Sequence, residues 1–316
     1  MGELLKSMVQ RYLFWISYDG GKFRGGAKSS SGFGATDFLE NIINYSLPKE
    51  TANSVKLHIS SRTDVGVHAS RNAILVQVPL QVEFNEREKI MHLQKWNDLI
   101  NKFYPTSMKI LDFHSVSNGF CPRRNISYRR YKYRLCIAKS EEIWERIRIK
   151  PSLFVFAEKN YAWFLPQSFD IKKCEEVLII SLFHGTHNMA SFMKYPRRQE
   201  LNEEEPMCTM KNMYLQISLG NSEFIENNDD FDFYDIMIIS RSFLRQQIRR
   251  MLQVIATYSC NNISQNSIEW LLRNPHPRNF IEMKLISAPP QGLFLDDVVY
   301  DERMFLNPIP YHYVPP

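Results

Sequence analysis

The sequence predicts an α+β fold, and three observations carry that prediction. Strand-like and helix-like segments alternate along both halves of the chain. The two halves have similar element content. With 316 residues, 44% of them hydrophobic, the chain can bury a real core in one large or two small domains. Residues 11–18 have aromatic and aliphatic residues on both parities, as a strand covered on two faces would. The Gly- and Ser-rich stretch GGKFRGGAKSSSGFG follows. Thr36 or Asp37 is then placed to cap a helix whose Phe38, Ile42, Ile43 and Leu47 recur at helical spacing. Val55, Leu57 and Ile59 alternate with Lys56, His58 and Ser60, the pattern of a half-buried strand. Residues 73–78 read as a strand, 85–103 as an amphipathic helix and 108–113 as a strand. In the second half, 128–137, 214–219 and 233–240 read as strands, 171–182 as a helix and 242–258 as a long helix. The segments 195–206 and 220–232 are polar and charged and read as surface loops. The expected division is 1–114 and 115–316. The similar halves hint at a duplication, although no residue-level repeat connects them.

Composition bounds the function classes. Apolar runs such as VLII at 177–180 fall far short of the roughly 18–20 residues that cross a bilayer, so no membrane partner is expected. The opening MGELLKSMVQRYLFW matches neither a signal peptide nor an Arg-rich transit peptide. Five widely spaced cysteines, without a C-x-x-C pair, fit reduced thiols rather than zinc or a redox couple. A net charge of +5 permits a polyanionic partner without demanding one.

Three segments stand out chemically. SSRTDVGVHAS leaves a strand and packs Arg62, Thr63, Asp64, Gly66 and His68 into a turn, where a side chain can project into a cleft. An acid beside an arginine is most often a loop ion pair. It also fits a carboxylate kept ionised by a guanidinium and aimed at an electrophilic carbon. In NISYRRYKYRL, preceded by Arg123 and Arg124, six basic residues fall between 123 and 134 without an acid. On a strand, Arg129, Tyr131, Tyr133, Leu135 and Ile137 share one face, and Tyr128, Arg130, Lys132 and Arg134 the other. That pattern suits an edge strand protected by charge, or a ribbon that contacts phosphates and offers a tyrosine to a base. In RSFLRQQIRRMLQVI, Leu244, Ile248, Met251, Leu252 and Ile255 form an apolar stripe, while Arg241, Arg245 and Arg249 recur every fourth residue. A row of arginines favours a carboxylate or phosphate partner from elsewhere. Neither Asp64 with His68 nor His184 with His187 has a third ligand at suggestive spacing, so no metal site is expected. The chain has no P-loop, G-x-G-x-x-G or G-x-S-x-G, which leaves nucleotide hydrolysis, dinucleotide chemistry and serine hydrolysis unsupported.

These motifs, in order, resemble those of the TruA family of tRNA pseudouridine synthases. SRTDVGVHA resembles the family's G-R-T-D-A-G-V-H-A box, RRYKYRL its R-R-Y-x-Y segment, and SFLRQQIRRM its F-[LV]-x-x-[MQ]-[IV]-R helix. GLFLDDVVY is similar to its late G-L-x-L strand, GTHNMASF to its G-x-H-[DN]-F-x-[SA]-F element, and YLFWISYDGGKFRGG to its opening strand and turn. The forms ISSRTD, RRM and GLFL resemble the metazoan TruA-like branch most, which points to a mitochondrial location, with cytoplasm or nucleus as the alternative.

The resemblance implies an isomerase that turns uridine into pseudouridine without a cofactor. It makes Asp64 the catalytic aspartate, Arg249 the arginine that keeps that carboxylate charged, and Arg62 the one that helps extrude the target nucleotide. Tyr131 would stack on the uracil and Leu293 touch the base. Arg129, Arg130 and Arg245, together with His68 beside the box, complete the candidate RNA-binding set. The implied fold has two related α+β subdomains, one carrying the Arg-Thr-Asp box and the other the RRYKY strand and Arg-rich helix. Their sheets would join into a long antiparallel sheet with a central basic cleft, in a homodimer that binds tRNA. Departures are also present. FRGGAKS replaces the usual continuation of the opening turn, Ser61 stands for a glycine, Val65 for an alanine, and Asn72 lies where the family carries a glutamine and an aromatic. A catalytically silent RNA-binding or chaperone protein on the same fold is the rival reading. An aspartate-nucleophile glycosidase or phosphatase would need a second carboxylate or a metal set.

Overall fold

In the computed structural model, which describes residues 9–51, 53–179, 182–194, 208–222 and 229–309, the opening strand β1 (Val9–Tyr18) buries Leu13, Phe14, Trp15 and Ile16 in succession. Consecutive burial requires cover on both faces of a strand, which its unbroken apolar sequence predicts. The chain continues through α1 (Ala35–Ser46), β2 (Lys56–Ile59), β3 (His68–Pro79), α2 (Lys89–Phe103), β4 (Met108–Ser115) and β5 (Ile126–Ala138). Then come α3 (Glu141–Ile149), α4 (Leu153–Glu158), β6 (Trp163–Leu165), α5 (Ile171–Ile179), β7 (Gly185–Asn188), β8 (Met210–Leu219), β9 (Phe231–Ser240), α6 (Gln247–Ser259), α7 (Gln265–Arg273) and β10 (Leu293–Tyr300). The α+β class holds. Among the described residues no helix is long and apolar enough to cross a membrane.

The chain divides into two units, but not at 114. One unit runs to Arg129 and resumes at Phe294, and the other is Arg130–Leu293. The last strand belongs with the first unit because Phe294 and Leu295 of β10 pair in parallel with His68 and Ala69 of β3. In this unit β1 lies antiparallel between β3 and β4. β2 pairs antiparallel with residues 74–77 of β3, so β2 and β10 share one edge of β3 from opposite ends. The core beneath is aromatic: Phe14 lies 5.1 Å from Trp96 and 5.4 Å from Phe113, and Phe84 4.9 Å from Trp96, ring centre to ring centre. Trp96 Nε1 donates to Ser46 Oγ at 3.0 Å, which satisfies the one polar atom of a buried indole.

In the second unit the strand order is β5-β9-β8-β7, with β6 parallel to β5. β9 and β8, and β8 and β7, are antiparallel. With parallel pairings in both units, the sheets are mixed rather than wholly antiparallel. α5 packs on β8 and on α6, and α6 buries Ile248, Met251, Leu252 and Ile255, the predicted stripe, together with Val254.

Three local readings are corrected. α1 is capped by Gly34, not by Thr36 or Asp37. The Asp37 carboxylate instead accepts from Gly34 N at 2.9 Å and Ser29 N at 2.8 Å, satisfying two donors at the helix start. α6 begins at Gln247 rather than 242, because Gln246 takes a left-handed φ of 59° and the fully buried Gln247 side chain accepts from Leu244 N at 2.9 Å. Arg241 and Arg245 therefore precede the helix and form no row with Arg249. β9 starts at Phe231, inside the expected loop 220–232, since Phe231 and Phe233 bury against Cys136, Ala138, Val155 and Ala162. Residues 195–206 and 223–228 of the expected loops lie outside the described residues.

Candidate active site

The Arg-Thr-Asp box lies in the first unit, between β2 and β3. Asp64 and Val67 bracket a turn closed by a hydrogen bond from Val67 N to Asp64 O at 3.1 Å. Gly66 supplies the positive φ, 82°, that the third position of such a turn requires and that Cβ-bearing residues resist. Asp64 is half-buried, Arg62 and Val65 are exposed, and Thr63 is buried.

The turn is held from behind. Tyr18 at the end of β1 is fully buried, and its hydroxyl lies 2.7 Å from Thr63 Oγ1. Asn72 Nδ2 donates to the same hydroxyl at 3.3 Å and to Ser61 O at 2.9 Å. Burial pushes the Tyr18 phenol above its ordinary pKa, against the two hydrogen bonds, so this network stays neutral. Asn72 and Ser61, departures from the family pattern, are thus joined in one buried contact beneath the box.

The Gly-rich segment after β1 presses on the turn from another side. Gly26 N donates to Thr63 O at 3.1 Å. A Cβ on Gly26 would fall 2.6 Å from Thr63 Oγ1, and one on Gly20 would fall 2.1 Å from Val67 O. Glycine is required here by close backbone approach. His68 is 3% exposed, its Nδ1 accepts from Gly20 N at 3.1 Å, and its ring stacks on Phe294 at 4.7 Å. Its position braces the turn.

Arg129, where β5 begins, donates through Nε to Ser61 Oγ at 2.6 Å and through Nη2 to Ser60 O at 3.1 Å. Arg123 Nε donates to Ile59 O at 3.1 Å. Sequence reasoning placed Arg123 beside the basic ribbon and did not connect it with the box.

The second unit gathers Tyr131, Tyr133, Arg249 and the residues before β10. Tyr131 is 7% exposed, its ring edge-on to Phe243 at 5.2 Å. Tyr133 is fully buried, and its hydroxyl donates to Pro289 O at 2.8 Å. Burial pushes the Tyr133 phenol up, and the nearby Arg249 charge opposes the shift. Arg249 is held at two points of residue 288: its Nε donates to Ala288 O at 2.7 Å, and its backbone O accepts from Ala288 N at 3.0 Å. Gly292 admits no side chain, because a Cβ would lie 2.9 Å from the Tyr133 ring. Leu293 beside it is 5% exposed.

Tyr131, Tyr133, Leu135 and Ile137, which share one face of β5, are buried, and the basic face is partly neutralised within the unit. Lys132 and Arg134 lie 3.8 Å and 3.6 Å from the Asp235 carboxylate on β9, and Arg134 also donates to Asn221 O at 2.5 Å. Arg130 is half-buried on that face. Arg245 is exposed, and its backbone O accepts from Lys194 N at 2.9 Å. Arg250, next to Arg249, is buried over the Phe280 ring at 4.5 Å and donates to Met193 O at 2.6 Å; burial lowers its pKa. His187 Nε2 lies 2.8 Å from His184 O. Among the described residues no three His, Cys, Asp or Glu side chains gather as metal ligands would.

A carboxylate fixed on a rigid turn, with guanidinium groups tied to the strand that leads into it, suits chemistry on an anionic substrate by a nucleophile or a base. A family model described as tRNA pseudouridine synthase matches residues 179–301. The tRNA pseudouridine synthase-like 1 of Xenopus laevis is 29% identical over 307 residues, covering 94% of this chain and 93% of the relative. The protein of the same name from Mus musculus is 26% identical, covering 93% of this chain and 95% of its own. The tRNA pseudouridine synthase A of Pelagibacter ubique is 28% identical, covering 92% and 99%. Similarity that runs nearly end to end, from a bacterium to vertebrates, supports a place for this chain among the TruA-type tRNA pseudouridine synthases, and with it an isomerase.

Proposed function

We propose that this protein isomerises specific uridines of tRNA to pseudouridine with Asp64 as the reacting carboxylate. The observation that carries the reading is the clamped turn, in which Gly66, the Gly20 and Gly26 contacts and the Tyr18–Thr63–Asn72 network fix the Asp64 backbone. A catalytic group held in place before substrate arrives lowers the entropic part of the barrier. The reaction breaks the bond from C1′ to N1, turns the uracil and joins C1′ to C5. The proton leaves C5 and N1 takes one up, so nothing is gained or lost overall and no cofactor is required. Asp64 serves either as the nucleophile at C1′ or as the base at C2′. The target bond lies inside stacked RNA, so the nucleotide must be flipped out at a cost of a few kcal/mol. The exposed Arg62 is suited to that step. Tyr131, Arg249 and Leu293 take the stacking, charge-keeping and base-contact roles of the family pattern. A homodimer sharing one tRNA, acting in mitochondria, completes the proposal.

The test is pseudouridine mapping of mitochondrial and cytosolic RNA from cells that carry wild-type protein or Asp64→Ala, with tRNA binding of the purified variant measured in parallel. Specific pseudouridines disappear while binding survives. If no position changes and the variant rescues function, a non-catalytic RNA-binding role replaces this one.

A further inference from the structure

We propose that Arg123, together with Arg62 and Arg129, forms a subsite on the first unit for one phosphodiester group of the substrate RNA, flanking the nucleotide that reaches Asp64; this rests on the RNA-modifying reading above. Four consecutive residues organise it. Ile59 O accepts from Arg123 Nε, Ser60 O and Ser61 Oγ accept from Arg129, and Arg62 follows directly. The residue before Arg123 is pinned as well. Pro122 O accepts from Ser60 Oγ at 2.7 Å, and the Tyr300 hydroxyl lies 2.5 Å from Pro122 O and 2.8 Å from Ser60 Oγ. The Arg123 backbone and Nε are thus fixed, while the residue as a whole is exposed.

Three guanidinium groups drawn to one stretch of backbone repel one another. Partial desolvation of Arg123, and the charges of Arg62 and Arg129, hold its pKa below the ordinary value. A bound phosphate would relieve that repulsion, and the planar fork of arginine matches phosphate oxygens in pairs. Arg62 lies two residues before Asp64, so a phosphate gripped there belongs to the nucleotide being modified or to its neighbour. Ser61 gives Arg129 a hydroxyl acceptor that the glycine of the family box lacks.

The experiment uses the purified full-length protein, a tRNA transcript that wild type modifies, and the variants Arg123→Met and Arg123→Lys. Affinity is measured against salt concentration, and single-turnover pseudouridine formation at saturating RNA. Loss of one phosphate contact reduces the slope of log affinity against log salt by about 0.7–0.9. Arg123→Met is expected to show that reduction, and Arg123→Lys to restore the slope. A wild-type slope in Arg123→Met overturns the subsite, whatever the change in affinity, as does failure of the lysine variant to restore it. If the methionine variant melts early, Arg123→Gln, which keeps a polar contact without the charge, is judged by the same slope. Inorganic phosphate is the second probe. If it raises the melting temperature of wild type but not of Arg123→Met while the RNA slopes coincide, the site takes a free anion and the RNA assignment is wrong. The binding arm needs no turnover, so a wild-type protein that forms no pseudouridine on any transcript overturns the synthase reading, while the slope in a bound RNA still decides the subsite.

Discussion

Replacing Gly20 by alanine tests whether the Asp64 turn works because it is clamped. The new Cβ would lie 2.1 Å from Val67 O, 2.3 Å from Val67 C and 2.9 Å from His68 N, all backbone atoms that cannot rotate away. Ordinary contact begins at about 3.4 Å, so the segment leaving the turn must retreat by about 1.3 Å. A misplacement of about 1 Å in a catalytic group costs on the order of 10²-fold in rate. Overpacking of this kind also costs about 1–3 kcal/mol of stability. Gly21 is the control, because its Cβ would meet only the side-chain oxygen Oδ1 of Asp19, at 3.2 Å, which can swing aside. Single-turnover pseudouridine formation at saturating tRNA should therefore fall about 10²-fold in Gly20→Ala and stay near wild type in Gly21→Ala, with tRNA affinity unchanged in both. Equal rates in the two variants, with Gly20→Ala folded, would refute the claim that this contact positions Asp64.

Two further outcomes follow from the second unit. Gly292→Ala drives a Cβ to 2.9 Å from the Tyr133 ring and 3.1 Å from Arg134 O. It should lower stability by about 1–3 kcal/mol, read as a lower urea midpoint with an unchanged slope. Cys174 is buried, which raises its thiol to about 12, whereas Cys208 is exposed. At pH 8 iodoacetamide should alkylate Cys208 first and leave Cys174 untouched until the protein unfolds, as mass spectrometry of the peptides would report. The unfolded thiol ionises near 9 and the folded one only at about 12, so the folded state holds the extra proton in that window. Stability contributed by this group is therefore complete below about pH 9 and falls as pH rises towards 12, visible as a falling thermal midpoint.

The parts of the fold that the sequence makes legible are those set by local periodicity. The apolar run of β1 and the alternation of β5, with Tyr131, Tyr133, Leu135 and Ile137 all buried, need no knowledge of distant partners. The box was legible as residue types, and Gly66 as a turn. Its supports were not, because they come from elsewhere in the chain: Tyr18 reaches Thr63 across 45 positions, and Arg123 reaches Ile59 across 64. The glycine pairs at 20–21 and 25–26 were the available sign that another backbone comes close. α6 misled because helical spacing of apolar residues and arginines runs on through 242–246. What stops the helix is the buried Gln247 amide, whose Nε2 meets Met213 Sδ of β8 at 3.0 Å, and a distant partner leaves no trace in local spacing.

The pairing of β10 with β3 has a consequence during synthesis. The Asp64 turn lies near the start of the chain, yet the strand beside its exit, with the Phe294 ring on His68 and the Tyr300 hydroxyl on Ser60, arrives only at the end. A ribosome must deliver some 230 further residues after His68 before that edge of β3 can be filled. The intervening unit can fold first as a continuous segment, while the box waits with an open strand edge. A message cut short before residue 293 would thus yield a chain that contains Asp64 but lacks the strand that braces its turn.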